Sequence, residues 1–575
     1  MDLRLLVNPL YLLIFSIDII FALLALLLIK KIFTNQHSIS IRTPFFISIF
    51  SVFCLLFFYL TNNLTISNVW LNSHESTPLL YKIAGIWGNH EGSMLLFYMF
   101  LTAWAALLLK DLHSIRLSAF VLLALGGYLY FQANPFVILA IKAAAGQDLN
   151  PALQNPYLAI HPPILYAGQT LCFALWVMAC VNPIHSKIQQ YTRICFFFIT
   201  LGLVLGARWA YGELGWGGFW FWDPVETVSL FPWLAIAAAV HAKKTDEKIF
   251  RNCLLISFPM VMLGLTLVRS GVLVSVHSFG FDLNNGIWLG LCTLAVSLIS
   301  ILVLYKNRSV TSYSFLARDL IPYGFLVMLG ILVSLIIFPV FFKIFFGIEL
   351  AIDENFFHQY INPFLLIALS FCVLAPQMTF QKIHLWNFIC AFLGVCVWCT
   401  WAQPYFHLLA ACSALISFWL IISTSNVLKH LFSKGFVASH LGIGLCILGA
   451  SHSEIFTVKQ EYDISKLPPT FASQPIRYQS TNTLETKQMT KEILKFNLSG
   501  KELIPERQHF HISHLTKHQP AWIQHYLDDI HGTCFVEQNK WKIELILKPY
   551  INIFWFGILF VLIGIAVSIR NIRLK

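Results

Sequence analysis

The chain has 575 residues, 58% of them hydrophobic and 11% charged, with a mean hydropathy of +0.71. Soluble proteins are about one quarter charged, so these figures exclude a cytosolic enzyme, a disordered scaffold and a disulfide-rich secreted domain. The formal charge of +11 does not point to nucleic acid, because the basic residues fall in short loops beside apolar runs, where membrane topology accounts for them.

About 20 apolar residues cross a bilayer. Fifteen runs qualify in chain order: 10–29, 44–60, 93–109, 117–136, 163–182, 192–209, 225–241, 250–269, 286–305, 319–341, 361–379, 386–402, 405–424, 435–451 and 549–569. The first lacks a small-residue cleavage site and reads as a retained helix. Only Gln403-Pro404 separates the runs 386–402 and 405–424. With the N-terminus outside, the inner loops hold twenty Lys and Arg, and the outer short loops and span ends hold six. That asymmetry sets the N-terminus outside and the C-terminus inside. The expected class is an all-α polytopic membrane protein of about 15 helices with a small β-rich domain before the last helix. Residues 1–451 form the bundle and 452–548 an extracytoplasmic soluble domain, where the alternating stretch Trp541–Leu547 favours strands; 549–575 form the closing helix.

The residues suited to chemistry cluster at the outer ends. WGNHEGS, Trp87 to Ser93, puts His90 and Glu91 at a span entry, as a helix cap or a substrate contact. His161 opens HPP just before the expected span 163–182, and His277 follows another span end. Between them lies WGGFWFWDPVE, Trp216 to Glu226. Its indoles offer flat apolar faces with N–H donors at the wet edge, and its glycines let a backbone approach a ligand closely. Asp223-Pro224 reads as a helix start. Two neutral imidazoles flanking such a platform suit a haem iron. The bland reading is an interfacial aromatic belt.

A second histidine pair lies deeper. At 1.5 Å per residue, His241 sits roughly 24 Å below the outer end of its span, and His440 enters the bilayer from the inside at a similar depth. Ionisable residues in spans are rare and usually functional, so a bis-His haem b within the bundle is weighed against a structural hydrogen bond. Arg208 and Arg269 lie at outer span ends, placed either to pair with haem propionates or to reach lipid headgroups. Asp18 needs a buried partner or a proton path. The thirteen cysteines are mostly packing residues in apolar runs; Cys396 and Cys399 have redox spacing without a βαβ context. HFHISH, beginning at His509, lacks convincing metal-ligand spacing.

With WGNHEGS, LNPALQNPYLAIHPPILYAGQ (Leu149 to Gln169), ARWAYGELGWGGFWFWDPVE (Ala207 to Glu226), LVRSGVLVSVHSF (Leu267 to Phe279) and SHLGIGLCILG (Ser439 to Gly449), the chain resembles the CcmF/NrfE family of cytochrome c-type haem lyases. The resemblance covers nearly the whole chain in order. It implies that His161 and His277 ligate haem presented at a tryptophan-rich WWD loop containing Trp216, Trp220, Trp222 and Asp223, and that His241 and His440 hold a separate haem b. It implies a reaction joining haem vinyl groups to the CxxCH thiols of apocytochrome c. The implied partners are a CcmE-type haem chaperone and CcmH/CcmI-type thiol-reducing and apocytochrome-handling subunits. Phe219, Leu283, Asn285 and LTKH (Leu515 to His518) depart from the family pattern. A haem exporter, which predicts inverted repeats, and a haem-binding scaffold without its own chemistry are the other readings. The expected location is the bacterial inner membrane, with the mitochondrial inner membrane as the alternative.

Overall fold

The computed structural model describes residues 26–27, 29–30, 42–141, 143–181, 186–215, 217–242, 247–273, 283–306, 320–348, 384–401, 405–425 and 434–573. Asp18, Trp216, His277, the expected span 361–379 and all but the end of 10–29 lie outside the described residues. In chain order the helices are α1 (Arg42–Leu60), α2 (Ser67–Asn72), α3 (Leu79–Gly85), α4 (His90–Leu108), α5 (Leu112–Phe131), α6 (Pro156–Val181), α7 (Ser186–Glu213) and α8 (Pro224–His241). They continue as α9 (Glu247–Arg269), α10 (Leu283–Lys306), α11 (Leu320–Phe346), α12 (His384–Trp401), α13 (Leu408–Ser425) and α14 (Lys434–Ile455). Ten strands run from Val458 to Lys548, and α15 (Ile551–Arg573) closes the chain.

Among the described residues, 11 helices are long and apolar enough to cross a membrane. The apolar parts of α12 and α13, Trp386–Thr400 and Leu408–Thr424, are shorter. The expected class, a polytopic helical protein with a small β-rich region before its last helix, is the observed one. One boundary moves in a way that matters. α6 begins at Pro156, so His161 lies in its second turn and not ahead of the helix.

The chain divides into two compact units. The first holds residues 1–203, 222–315 and 325–354; the second holds 204–221, 316–324 and 355–575. In lipid there is little hydrophobic drive between helices, so packing and hydrogen bonds decide. In the first unit, prolines make carbonyls available for that purpose. Pro163 has no N–H to give Ala159, and the indole of Trp87 donates to that carbonyl instead, at 3.1 Å. Pro259 likewise releases Leu255, whose carbonyl accepts from Ser300 Oγ at 2.9 Å. The Trp176 indole then donates to Ser300 Oγ at 2.8 Å.

In the second unit, α14 and α15 meet backbone to backbone. Gly435, Gly442 and Gly449 recur every seventh residue on α14, opposite Gly557 and Gly564 on α15. A Cβ at Gly442 would stand 2.5 Å from the Gly557 carbonyl oxygen. The strands are β1 (Val458–Asp463), β2 (Thr470–Phe471), β3 (Gln474–Glu485), β4 (Met489–Leu498), β5 (Lys501–Leu503), β6 (Glu506–Phe510), β7 (Thr516–Gln519), β8 (Ala521–His525), β9 (Asp528–Glu537) and β10 (Lys540–Lys548). They form one sheet of order β1-β10-β9-β8 and a second of order β2-β3-β4-β6-β7, with β5 beside β4. Residues of both sheets, including Phe471, Phe496, Leu503, Ile530, Ile543 and Leu545, share one apolar core.

Candidate functional site

In the first unit, WGNHEGS is accounted for residue by residue. Asn89 caps α4, its Oδ1 accepting from Gly92 N at 2.8 Å, while its Nδ2 donates to the Gly85 carbonyl at 2.7 Å. At Gly92 a Cβ would fall 1.7 Å from the Ile86 carbonyl oxygen, so only glycine fits. Glu91 accepts from Asn68 Nδ2 at 3.2 Å. The cap is therefore Asn89, and His90 has another task.

His90 joins a polar chain across four helices. Arg269, at the end of α9, donates to His90 Nδ1 at 3.3 Å. Guanidinium has only donors, which fixes Nδ1 as acceptor and puts the proton on Nε2. His90 Nε2 then donates to Tyr128 Oη at 2.9 Å, and that hydroxyl donates to Asn285 Oδ1 at 3.2 Å. Arg269 also donates to Ser93 Oγ at 2.7 Å and Tyr166 Oη at 3.4 Å, and its buried Nε has no partner among the described residues. Sequence reasoning missed Tyr128, Ser93 and Tyr166. Asn285 stood out there only as a departure from the family pattern; here it is the buried terminus of the chain.

His161 Nδ1 donates to the Gly202 carbonyl at 2.7 Å. The bond exists because α6 and α7 pack very closely. A Cβ on Gly202 would lie 2.8 Å from Leu165 Cα, and one on Gly168 would lie 2.6 Å from Ile199 N. A neutral imidazole that donates from Nδ1 presents Nε2 as its metal-ligating nitrogen. His241 uses the same arrangement within its own helix, donating from Nδ1 to the Ala237 carbonyl at 2.8 Å, with its ring 5.1 Å from that of Phe325. Asp223 caps α8 by accepting from Val225 N at 3.0 Å, with Pro224 at the first helical position and Glu226 in the first turn. Trp222 ahead of it is left-handed, with φ of +57°, a conformation that non-glycine residues seldom adopt.

In the second unit, His440 Nδ1 donates to the Phe436 carbonyl at 2.9 Å and the imidazole stacks on the Phe436 ring at 4.0 Å. The Arg208 guanidinium lies 5.3, 5.1 and 5.2 Å from the rings of Tyr211, Trp522 and Trp555, a cation–π cage. Tyr211 donates to Asp529 at 2.8 Å, and Asn552 Nδ2 to the other carboxylate oxygen at 3.0 Å; burial raises the Asp529 pKa. Phe219 stacks on Phe554 at 4.0 Å, and Trp220 is half-buried beside it in sequence. Glycines at the loop entry allow a close approach within the protein. Gly215 and Gly217 bring the backbone down onto β-strand side chains, Thr533 and Ile546, each 3.1 Å from the Cβ that glycine lacks.

Other candidates are bland. His452 donates to the Leu448 carbonyl and accepts from the Trp398 indole at 2.7 Å, a satisfied core histidine. Cys396 and Cys399 are free thiols on α12. Among the described residues no cluster of three or more His, Cys, Asp or Glu could hold a metal ion.

The Cytochrome C assembly protein family model matches residues 87–274, a stretch that contains His90, Tyr128 and Arg269, His161, the aromatic loop and His241. The cytochrome c-type biogenesis protein CycK of Rhizobium meliloti is 38% identical over 48% of this chain, a stretch equal to 43% of that protein's length. The cytochrome c-type biogenesis protein CcmF of Escherichia coli is 30% identical, covering 88% of this chain and 87% of its own. A solved structure described as cytochrome c heme lyase CcmF covers 96% of both chains with a TM-score of 0.79 at 16% identity, a likeness of fold. At that coverage and identity to the Escherichia coli protein, the chain belongs to the CcmF/NrfE family of cytochrome c-type biogenesis proteins.

Proposed function

We propose that this protein is a haem lyase of cytochrome c maturation in a bacterial inner membrane, with its N-terminus outside and its C-terminus inside. Haem is its substrate, held at the outer face by His161 and His277 against Trp216, Trp220, Trp222 and Asp223. The CxxCH thiols of apocytochrome c add across the haem vinyl groups, each S–H becoming a C–S and a C–H bond. The protein contributes no nucleophile; the substrate's cysteines react, and holding the partners together supplies most of the rate gain. The observation that carries this reading is the His161 Nδ1–Gly202 bond, which aims Nε2 as a ligand.

Arg269 suits a haem propionate, because its hydrogen-bonding partners are the neutral His90, Ser93 and Tyr166, and a half-buried cation gains most from an anion. Arg208, already caged by three rings, suits one less well. His90 acts through Arg269. His241 and His440, each donating from Nδ1 to a backbone carbonyl, would hold a membrane haem b, which would relay electrons from an external reductant to keep the substrate iron ferrous. Its expected partners are a CcmE-type chaperone and CcmH/CcmI-type subunits.

Reduced-minus-oxidised and pyridine haemochrome spectra of the purified protein test the haem b site. A b-type spectrum lost in both His241→Ala and His440→Ala supports it; wild-type protein without haem removes it. Haem-stained cytochrome c yield tests the lyase reading. His161→Ala should abolish it, and full yield in that variant would leave a scaffold, with the chemistry in a partner.

A further inference from the structure

The sheet β1-β10-β9-β8 has two different faces. Ile530 and Cys534 of β9, and Ile543 and Leu545 of β10, point into the apolar core. The intervening residues point the other way, because side chains alternate along a strand. Trp522 on β8 pairs with His531 on β9, which pairs with Ile546 on β10. One row of side chains therefore crosses three strands on the face turned from the core, with Thr533 beside it.

The entry to the aromatic loop lies on that row. A Cβ at Gly212 would stand 3.6 Å from the Trp522 ring, one at Gly215 3.1 Å from Thr533 Oγ1, and one at Gly217 3.1 Å from Ile546 Cδ1. Gly215 and Gly217 have φ of +71° and +68°, where side chains are strained. His531 is at the centre. It is fully buried, lies 5.9 Å from the Trp522 ring in a near-parallel stack, and meets the Tyr211 ring edge-on at 4.5 Å. Neither of its ring nitrogens has a hydrogen-bond partner among the described residues. The ring contributes shape.

We propose that the Trp522–His531–Ile546 row is a seat that sets the height and angle of the tryptophan loop, with His531 as its positioning residue. The β-rich segment is then a working part of the haem site. This rests on reading the loop as the haem platform.

The test is hydrogen–deuterium exchange of segment 212–222 in the full-length protein, read beside the outer-haem spectrum. His531→Ala and Ile546→Ala should each speed exchange of that segment at least ten-fold and broaden or deplete the outer-haem signal. His531→Phe, which restores a flat ring, should return both to wild type. Leu545→Ala, on the core face of the same strand, should lower the melting temperature while leaving 212–222 protected in the folded state. Unchanged exchange in His531→Ala overturns the seat, as does equal exchange in Leu545→Ala and Ile546→Ala. If exchange responds as expected but Trp220→Ala keeps the wild-type haem signal, the seat stands and the platform reading falls.

Discussion

His161 and His241 both donate from Nδ1 to a backbone carbonyl, at 2.7 and 2.8 Å, but the carbonyls differ in kind. His241 uses Ala237, one turn back on its own helix, as His440 uses Phe436. His161 uses Gly202, 41 residues away on α7. The first arrangement comes with the helix and survives changes around it. The second exists only while two helices stay a backbone's width apart. The proposed outer ligand, aimed by tertiary contact, is easier to disturb than the proposed membrane ligands, aimed by their own turn.

The largest break should come from Gly202→Leu. Its side chain would force α7 away from Leu165, turning His161 out of position; loss of an orienting partner alone costs about 10–100-fold. Cytochrome c yield should fall by at least that much while the haem b spectrum persists. Loss of both signals together would mean the two sites share one support.

A counterpart on the other side of the comparison is Gly442→Leu, which overfills the α14–α15 contact. Overpacking costs about 1–3 kcal/mol, so the melting temperature should drop by several degrees. Haem b per folded molecule should hold within about two-fold, since His440 is oriented from within α14. A proportional loss of haem b would show that the internal bond is insufficient.

Trp87→Phe probes the support of α6 more gently. It strands the Ala159 carbonyl, at a cost of about 1–3 kcal/mol. Pro163→Ala restores an N–H to that carbonyl, so the double variant should recover much of the loss in a thermal melt. Simple additivity would show that the indole bond does not compensate for the proline.

The last effect appears only in acid. His531 is held neutral by burial, with nearby Lys548 and Arg208 adding to the effect, and its pKa falls to about 3. The unfolded imidazole takes up its proton near the ordinary value of 6.5, so the native state binds fewer protons between the two. Stability from this group is therefore present above about 6.5 and is lost as pH falls towards 3, by about 1.4 kcal/mol per unit at most. His531→Phe should flatten that acid limb, measured as melting temperature against pH.

Much of the fold was legible because membranes impose simple rules. Apolar length marked the spans, and Asp223-Pro224 marked a helix start that the structure shows as a capped one. The alternation at Trp541–Leu547 lies within β10. What was not legible depends on through-space partners. Nothing in WGNHEGS says that Asn89 caps and His90 bridges, because Arg269, Tyr128 and Asn285 are far away in sequence. Gly217 and Gly218 read as room for a ligand, yet the atoms nearest that room belong to Ile546 and Phe221. A glycine reports close approach without naming what approaches.

Two of the proline-released carbonyls, Ala159 and Leu255, impose different schedules on synthesis. Ala159 is met by Trp87, which was translated earlier, so the exposed oxygen of α6 has its donor waiting when it enters lipid. Leu255 on α9 needs Ser300, which follows on α10. Until α10 arrives, α9 would present a bare carbonyl to hydrocarbon, where an unsatisfied group costs several kcal/mol. The α9–α10 hairpin should therefore enter the bilayer as one unit, and the Trp176 indole should close on it last, drawing the finished hairpin onto helices already in place.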